Sequence, residues 1–200
     1  MANDCGHLPK ADPAQLPDDL RRRMEVWFDK AYKDDNLFLT LANRPGVLEL
    51  FMSWVGFVYT DASSLDPKML ELCRIRMASF NQCVHCSLVR SESLVRKGLN
   101  EAEMHAAVGD LDEDGPTAPA AVLPARTITA LRLVDLLVTP HPIVDEEAYR
   151  VFTKEFSDGE LLELAAAIVV GSGWQKLIEA FGIRPDHWTD TSPLPWKGNR

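Results

Sequence analysis

Cys83-Val84-His85-Cys86 is the segment whose residue types and spacing most directly allow chemistry. A cysteine pair two residues apart serves thiol–disulfide exchange, half of a zinc site, or packing alone. If Asn81 caps a helix starting near Gln82 and running to Lys97, both sulfurs lie in its first turns. There the positive end of the helix dipole favours a thiolate. A spacing of three puts both on one helix face, close enough to exchange a disulfide. One sulfur then attacks a peroxide or disulfide, and its neighbour resolves the product. A zinc site needs two further ligands. Cys5 with His7, Cys73 and His105 are available, but none has finger-like spacing, so ligand count argues against a metal. Cys73 sits on an apolar stripe and reads as a core residue.

Three ionisable residues stand near this pair. Glu71 has Ile75 and Ala78 on its own side of a largely apolar helix, and a carboxylate in such surroundings can be tuned as a proton acceptor. The alternative is a surface pair with Arg74 at i+3. His85 can take a thiol proton near neutral pH, although an ideal helix points it about a quarter turn from Cys86, and an exposed histidine is the other reading. Arg90 follows Cys86 at i+4 and shares the face of both cysteines on a continuous helix. Its charge favours a thiolate, but it cannot act as a base; a solvated surface arginine is the alternative.

The elements that must carry these residues are helical. Leu20, Met24, Trp27 and Ala31 recur at helical spacing after Pro17-Asp18. A second helix begins near Pro45 and runs through Leu48, Phe51, Val55 and Val58. A third starts at Asp66-Pro67, a cap followed by proline at the first position, with Leu70, Cys73, Met77 and Phe80 as its stripe. Gly98 ends the cysteine helix, and Asn100 to Glu103 has capping-box spacing. Gly109–Pro124 reads as a loop and a boundary between two helical halves. Helices resume over Arg126–Val138 and Glu146–Phe156. Ser157 with Glu160 then caps a helix that is apolar all round from Leu161 to Val170, which predicts a central buried element with a kink at Gly171–Gly173. The fold class is all-α, one domain of about eight helices over residues 1–200, with residues 1–16 and 185–200 as arms.

Bulk composition excludes several classes. At 46% hydrophobic and 26% charged, the chain can bury a sizeable core. Thirty acidic against 21 basic residues give a net charge of -9 with no basic stripe, which argues against nucleic acid and anionic membrane partners. No basic-then-apolar leader opens the sequence, and the apolar run Leu164–Val170 is far short of a membrane span. A soluble, cytoplasmic protein is expected, where a structural disulfide framework is improbable.

Leu65-Asp-Pro-Lys-Met-Leu-Glu71, then Ala78-Ser-Phe-Asn81-Gln-Cys83-Val-His85-Cys86, then Lys97-Gly-Leu99, resembles the core of the alkylhydroperoxidase D-like, or carboxymuconolactone decarboxylase, family. The pattern is a glutamate on one helix, a Cys-x-x-Cys twelve residues on, and a histidine four residues after the second cysteine; Glu71 to Cys83 has that interval. The core of the resemblance covers about 40 residues, and Phe156 to Glu163 is similar to the longer members. The resemblance implies an all-helical fold assembled as a homo-oligomer, a trimer or hexamer; the residues themselves lead to an expectation of no cofactor and no metal. It implies that Cys86 attacks, Cys83 resolves, and Glu71 and His85 belong to a proton relay. It further implies reduction of a hydroperoxide and re-reduction by a thiol electron donor such as a lipoylated protein. Arg90 stands where the family has its histidine, which removes a relay at that position but leaves a charge able to hold a thiolate. The lead expectation is a thiol-dependent peroxidase or disulfide reductase. The alternatives are a decarboxylase-type lyase acting on a lactone acid, which would not need the cysteines, and a redox-sensing module that forms the disulfide without turnover.

Overall fold

The computed structural model describes residues 6–30, 33–60, 62–116, 118–186 and 188. After a 3-10 turn at Pro13–Gln15 come α1 (Asp18–Lys30), α2 (Asp35–Leu41), α3 (Pro45–Val58), α4 (Pro67–Phe80), α5 (Val84–Leu88) and α6 (Glu92–Arg96). They are followed by α7 (Glu101–Val108), α8 (Pro119–Val122), α9 (Ala125–Leu137), α10 (Glu146–Phe152) and α11 (Asp158–Ala180). No strand occurs among the described residues, so the all-α expectation is met with more and shorter helices than expected.

Local chemistry sets most starts. Asp66 accepts from the Lys68 and Met69 amides, and Pro67 follows at the first helical position of α4. Asn100–Glu103 and Ser157–Glu160 form complete capping boxes on α7 and α11. Asp34 caps α2, an element that apolar spacing did not reveal. The cysteine helix, expected as one element over Gln82–Lys97, is two: α5 ends at Leu88 and α6 begins at Glu92. Asn81 is not its cap but the C-cap of α4, and Cys83 itself caps α5.

α4 is the hub. It packs on α7, α9 and α11, while α5 lies against α4 and α11. Leu72, Leu131, Leu133, Leu164 and Ile168 fill one core between these helices. Burying each such side chain contributes about 1.5–3 kcal/mol. Leu20, Phe38, Leu48 and Phe51 fill a second core under α1, α2 and α3, and Cys83 and Cys86 belong to it. α9 packs directly on α4, so residues 109–124 do not divide two halves; part of that stretch is α8.

α11 departs from expectation in two ways. Its Leu161, Leu164, Ala167, Ile168 and Gly171 face inward at helical spacing, but Leu162 is 73% and Val169 54% exposed, because the neighbours cover only one side. It also continues through Gly171–Gly173 without interruption. Its length and apolarity alone match those of a membrane-crossing helix, yet it packs against α4, α5 and α9.

Of the segments read as arms, residues 6–16 lie along the body. The His7 amide donates to Phe181 O at 2.9 Å, the Ala11 amide to Leu39 O at 2.9 Å, and Leu16 is buried. Gly6 makes this docking possible: its φ is +123°, and a Cβ there would stand 2.7 Å from Phe181 O. Asp186 accepts the Asp35 and Asn36 amides at 3.0 and 2.8 Å, tying residue 186 to the start of α2. Residues 1–5, including the Cys5 considered for zinc, and 189–200 lie outside the described residues, as does Ala31 of the α1 stripe.

Candidate active site

The end of α4 delivers the cysteines. Gln82 takes a left-handed backbone, φ 50°, while the Gln82 amide donates to Ser79 O and the Cys83 amide to Ala78 O at 3.1 Å. This is a Schellman closure with glutamine in place of the usual glycine. It reverses the chain and places Cys83 at once as the cap of α5, its sulfur accepting from the Cys86 amide at 3.3 Å. Cys83 and Cys86 are joined as a disulfide, with Cα atoms 5.2 Å apart, and both are buried. Asn81 clamps this corner to α11 through Ser172 Oγ at 3.1 Å and Gln175 Oε1 at 2.9 Å. The first amide of α5, on Val84, donates to Glu179 Oε2 at 3.0 Å; Glu179 is paired with Arg184.

Glu71 is buried, 2% exposed, and faces this corner. Its carboxylate receives two hydrogen bonds of 2.8 Å from Arg74 and one of 3.3 Å from the Ser91 amide. The Arg74 pairing expected at i+3 therefore exists, but in the interior and not at the surface. Arg74 also donates to Cys86 O, and to Val89 O at 2.9 Å. Glu71 thus reaches the cysteine helix through a guanidinium.

His85 is buried, and its Nε2–H donates to the carboxylate of Asp34, itself 1% exposed. The reading of an exposed histidine is corrected here. Asp34 is the site residue that sequence reasoning missed. Its other oxygen caps α2 through the Leu37 amide at 3.2 Å, and a cap aspartate before a short, largely apolar helix was the one available signal.

Arg90 does not sit one turn after Cys86 on a shared helix face, because α5 has already ended. Its Nη1 donates to Ser87 O at 2.6 Å and Val89 O at 2.8 Å, and its Nε lies 3.1 Å from Met104 Sδ. Burial, then the neighbouring Arg74 charge, pull its pKa below the usual arginine value, while Glu71 and Glu101 oppose them. Cys73 lies in the core between α4 and its neighbours, as its stripe predicts, and burial pushes its thiol up to about 12. No group of three or more His, Cys, Asp or Glu among the described residues is arranged to hold a metal.

A cavity of about 840 Å³ opens on the Glu71–Arg74 pair and Ser91, walled by α1 and α3. Neither cysteine lines it; Arg74 links its wall to the disulfide turn through the hydrogen bond to Cys86 O. The arrangement provides two sulfurs that can exchange a bond, an imidazole from the residue between them in sequence that a carboxylate orients, and a fixed cationic network over the segment that follows.

Residues 45–127 match the profile of the carboxymuconolactone decarboxylase family. No curated protein matches the sequence significantly. Among solved structures, the chain is similar to an alkylhydroperoxidase AhpD core, an uncharacterized peroxidase-related protein from Ralstonia eutropha JMP134. That pair shares 23% identity over 93% of this chain and 95% of the other, with a TM-score of 0.72. A peroxidase-related protein from Silicibacter sp. TM1040 is similar over 92% and 93% of the two chains, at 20% identity and a TM-score of 0.66. A variant of the debrominase Bmp8, solved with 2,3,4-tribromopyrrole, is similar over 94% and 93%, at 17% identity and a TM-score of 0.67. At these identities the likeness is one of fold.

Proposed function

We propose that this chain, whose residues 45–127 match the carboxymuconolactone decarboxylase family profile, is a thiol-dependent peroxidase or disulfide reductase working through Cys83 and Cys86. The observation that carries this reading is the bond between the two sulfurs at the start of α5, which is the oxidised end of such a cycle.

In the reduced protein, His85 accepts the Cys86 thiol proton, and Asp34 orients the imidazole and stabilises its charge. The Cys86 thiolate attacks the outer oxygen of a hydroperoxide. The O–O bond breaks, an alcohol leaves with the proton returned by His85, and Cys86 is left as a sulfenic acid. Cys83 attacks that sulfur, closes the disulfide and releases water. An external dithiol, a lipoylated protein being the candidate, supplies two electrons and two protons to reopen the pair. Glu71 fixes Arg74 over the Cys86 and Val89 carbonyls, and Arg90 adds positive charge beside the same turn.

The test is hydroperoxide turnover with a dithiol donor in Cys86→Ser and Cys83→Ser. Loss of turnover in the first, and a trapped sulfenic acid or mixed disulfide on Cys86 in the second, are expected. Unchanged turnover in Cys86→Ser removes the reading.

A further inference from the structure

The cavity beside Glu71 and Arg74 has a make-up that thiol chemistry alone does not require. We propose that it binds a planar aromatic molecule carrying one anionic group, and that this is the substrate class presented to the cysteine pair. The substrate half rests on the dithiol reading above; the binding half does not.

The walls are aromatic. Tyr59 stands between two tryptophans, with its ring 6.2 Å from Trp27 and 6.3 Å, edge-on, from Trp54. All three line the cavity. Such a corner receives a ring in edge-on or offset contact. The volume, about 840 Å³, suits a small organic molecule.

The rim is cationic. Arg22 and Arg23 sit with Val26 on one face of α1, at the three-and-four spacing that brings them to the cavity together. Lys97 faces it from beyond α6. None of these three cations pairs with a described residue. Of the acidic groups that line the same space, Glu71 is matched by Arg74, leaving Asp19 against three cations. On a chain with net charge -9 this local excess runs against the overall composition. Arginine and lysine here offer an anion its counter-charge.

The floor is left open. Gly56, inside α3, lines the cavity, and a Cβ built on it meets nothing within 4 Å. A leucine at this position would project into the space without a backbone conflict, and it is a better helix former than glycine.

The test begins with calorimetric titration of the oxidised protein, which needs no cysteine chemistry, using 2-naphthoate and the uncharged 2-naphthamide. Naphthoate should bind roughly tenfold more tightly, the scale that a few exposed ion contacts reach together, and the gap should narrow with added salt. The Arg22→Gln/Arg23→Gln/Lys97→Gln variant should bind both probes alike. Gly56→Leu, its helicity checked by circular dichroism, should bind neither. No binding, equal affinity in the wild type, or unchanged binding in Gly56→Leu overturns the site. Turnover then separates the two halves. A cumyl hydroperoxide bearing a para-carboxylate should show a kcat/KM roughly tenfold above cumyl hydroperoxide itself, a preference lost in the triple variant. Turnover without that preference overturns the substrate assignment. Naphthoate binding with no turnover of any peroxide upholds the site and overturns the dithiol reading.

Discussion

Asp34 and His85, 51 residues apart, share a hydrogen bond in the interior with each residue 1% exposed. The carboxylate belongs to the start of α2 and the imidazole to the turn between the two cysteines. The position of the imidazole is therefore set by an element outside the cysteine segment.

Replacing Asp34 separates its two duties. Asp34→Ala removes both the α2 cap and the His85 partner, and should cost about 3 kcal/mol in urea unfolding. Asp34→Asn keeps a cap-competent side chain and should lose about 1 kcal/mol. If the carboxylate orients a working base, Asp34→Asn still slows Cys86 alkylation in the reduced protein by roughly tenfold or more. Equal rates in Asp34→Asn and the wild type would confine the pair to a structural role.

Arg74 joins Glu71 to the carbonyls of Cys86 and Val89. Arg74→Ala leaves Glu71 buried without its counter-charge and should destabilise by about 3–5 kcal/mol. Lysine cannot reproduce the fork, so Arg74→Lys should recover only part of that. Hydrogen exchange should speed up first at the amides of α5 and of Val89–Ser91, before any global loss of protection.

Cysteine labelling has a definite expected pattern. Burial holds the Cys73 thiol at about 12, so iodoacetamide at pH 8 should leave it unmodified in the native protein, oxidised or reduced. Cys83 and Cys86 should label only after reduction. Peptide mapping by mass spectrometry checks each site, and rapid modification of Cys73 in folded protein would contradict its placement.

Glu163 makes one feature of stability depend on pH. Burial pushes its pKa up, but hydrogen bonds from Ser63 and Ser64 outweigh this and hold the carboxyl below the usual range. A depressed carboxylate stabilises the fold above its unfolded value, about 4.3, and loses that contribution as pH falls through the lower folded value. Glu163→Gln should therefore cost about 1 kcal/mol at neutral pH, a figure discounted for its partial exposure. The difference from wild type should close below about pH 4. Urea titrations at pH 7 and below 4 measure it.

Most helix starts were legible because their signals are local. Pro45, Asp66-Pro67, Asn100 with Glu103, and Ser157 with Glu160 each act within one turn of themselves. The break after Leu88 was not legible, since neither glycine nor proline marks it. The carbonyls of Cys86 and Val89 receive the Arg74 guanidinium, that of Ser87 receives Arg90, and the Ser91 amide turns to Glu71. Groups that would extend a helix are taken by side chains, two of them from α4, and local propensity yields to tertiary bonding. The interval from Glu71 to Cys83 was readable for the same reason the helix starts were: α4 and its closing turn are continuous chain. Asp34 was not, because nothing within one element links it to His85. The exposed side of α11 escaped a composition-based reading, since apolarity does not reveal how many neighbours a helix has.

The bond between Cys83 and Cys86 spans a sequence separation of only 3. A crosslink over so short a ring removes little freedom from the unfolded chain, about 2 kcal/mol by the loop-entropy relation. What anchors the turn is noncovalent: Asn81 to α11, the Val84 amide to Glu179, Arg74 over the carbonyls. Opening and reclosing the sulfur bond can therefore proceed on a scaffold that stays assembled, and endurance over repeated opening becomes a property of the helices and not of the bond they carry.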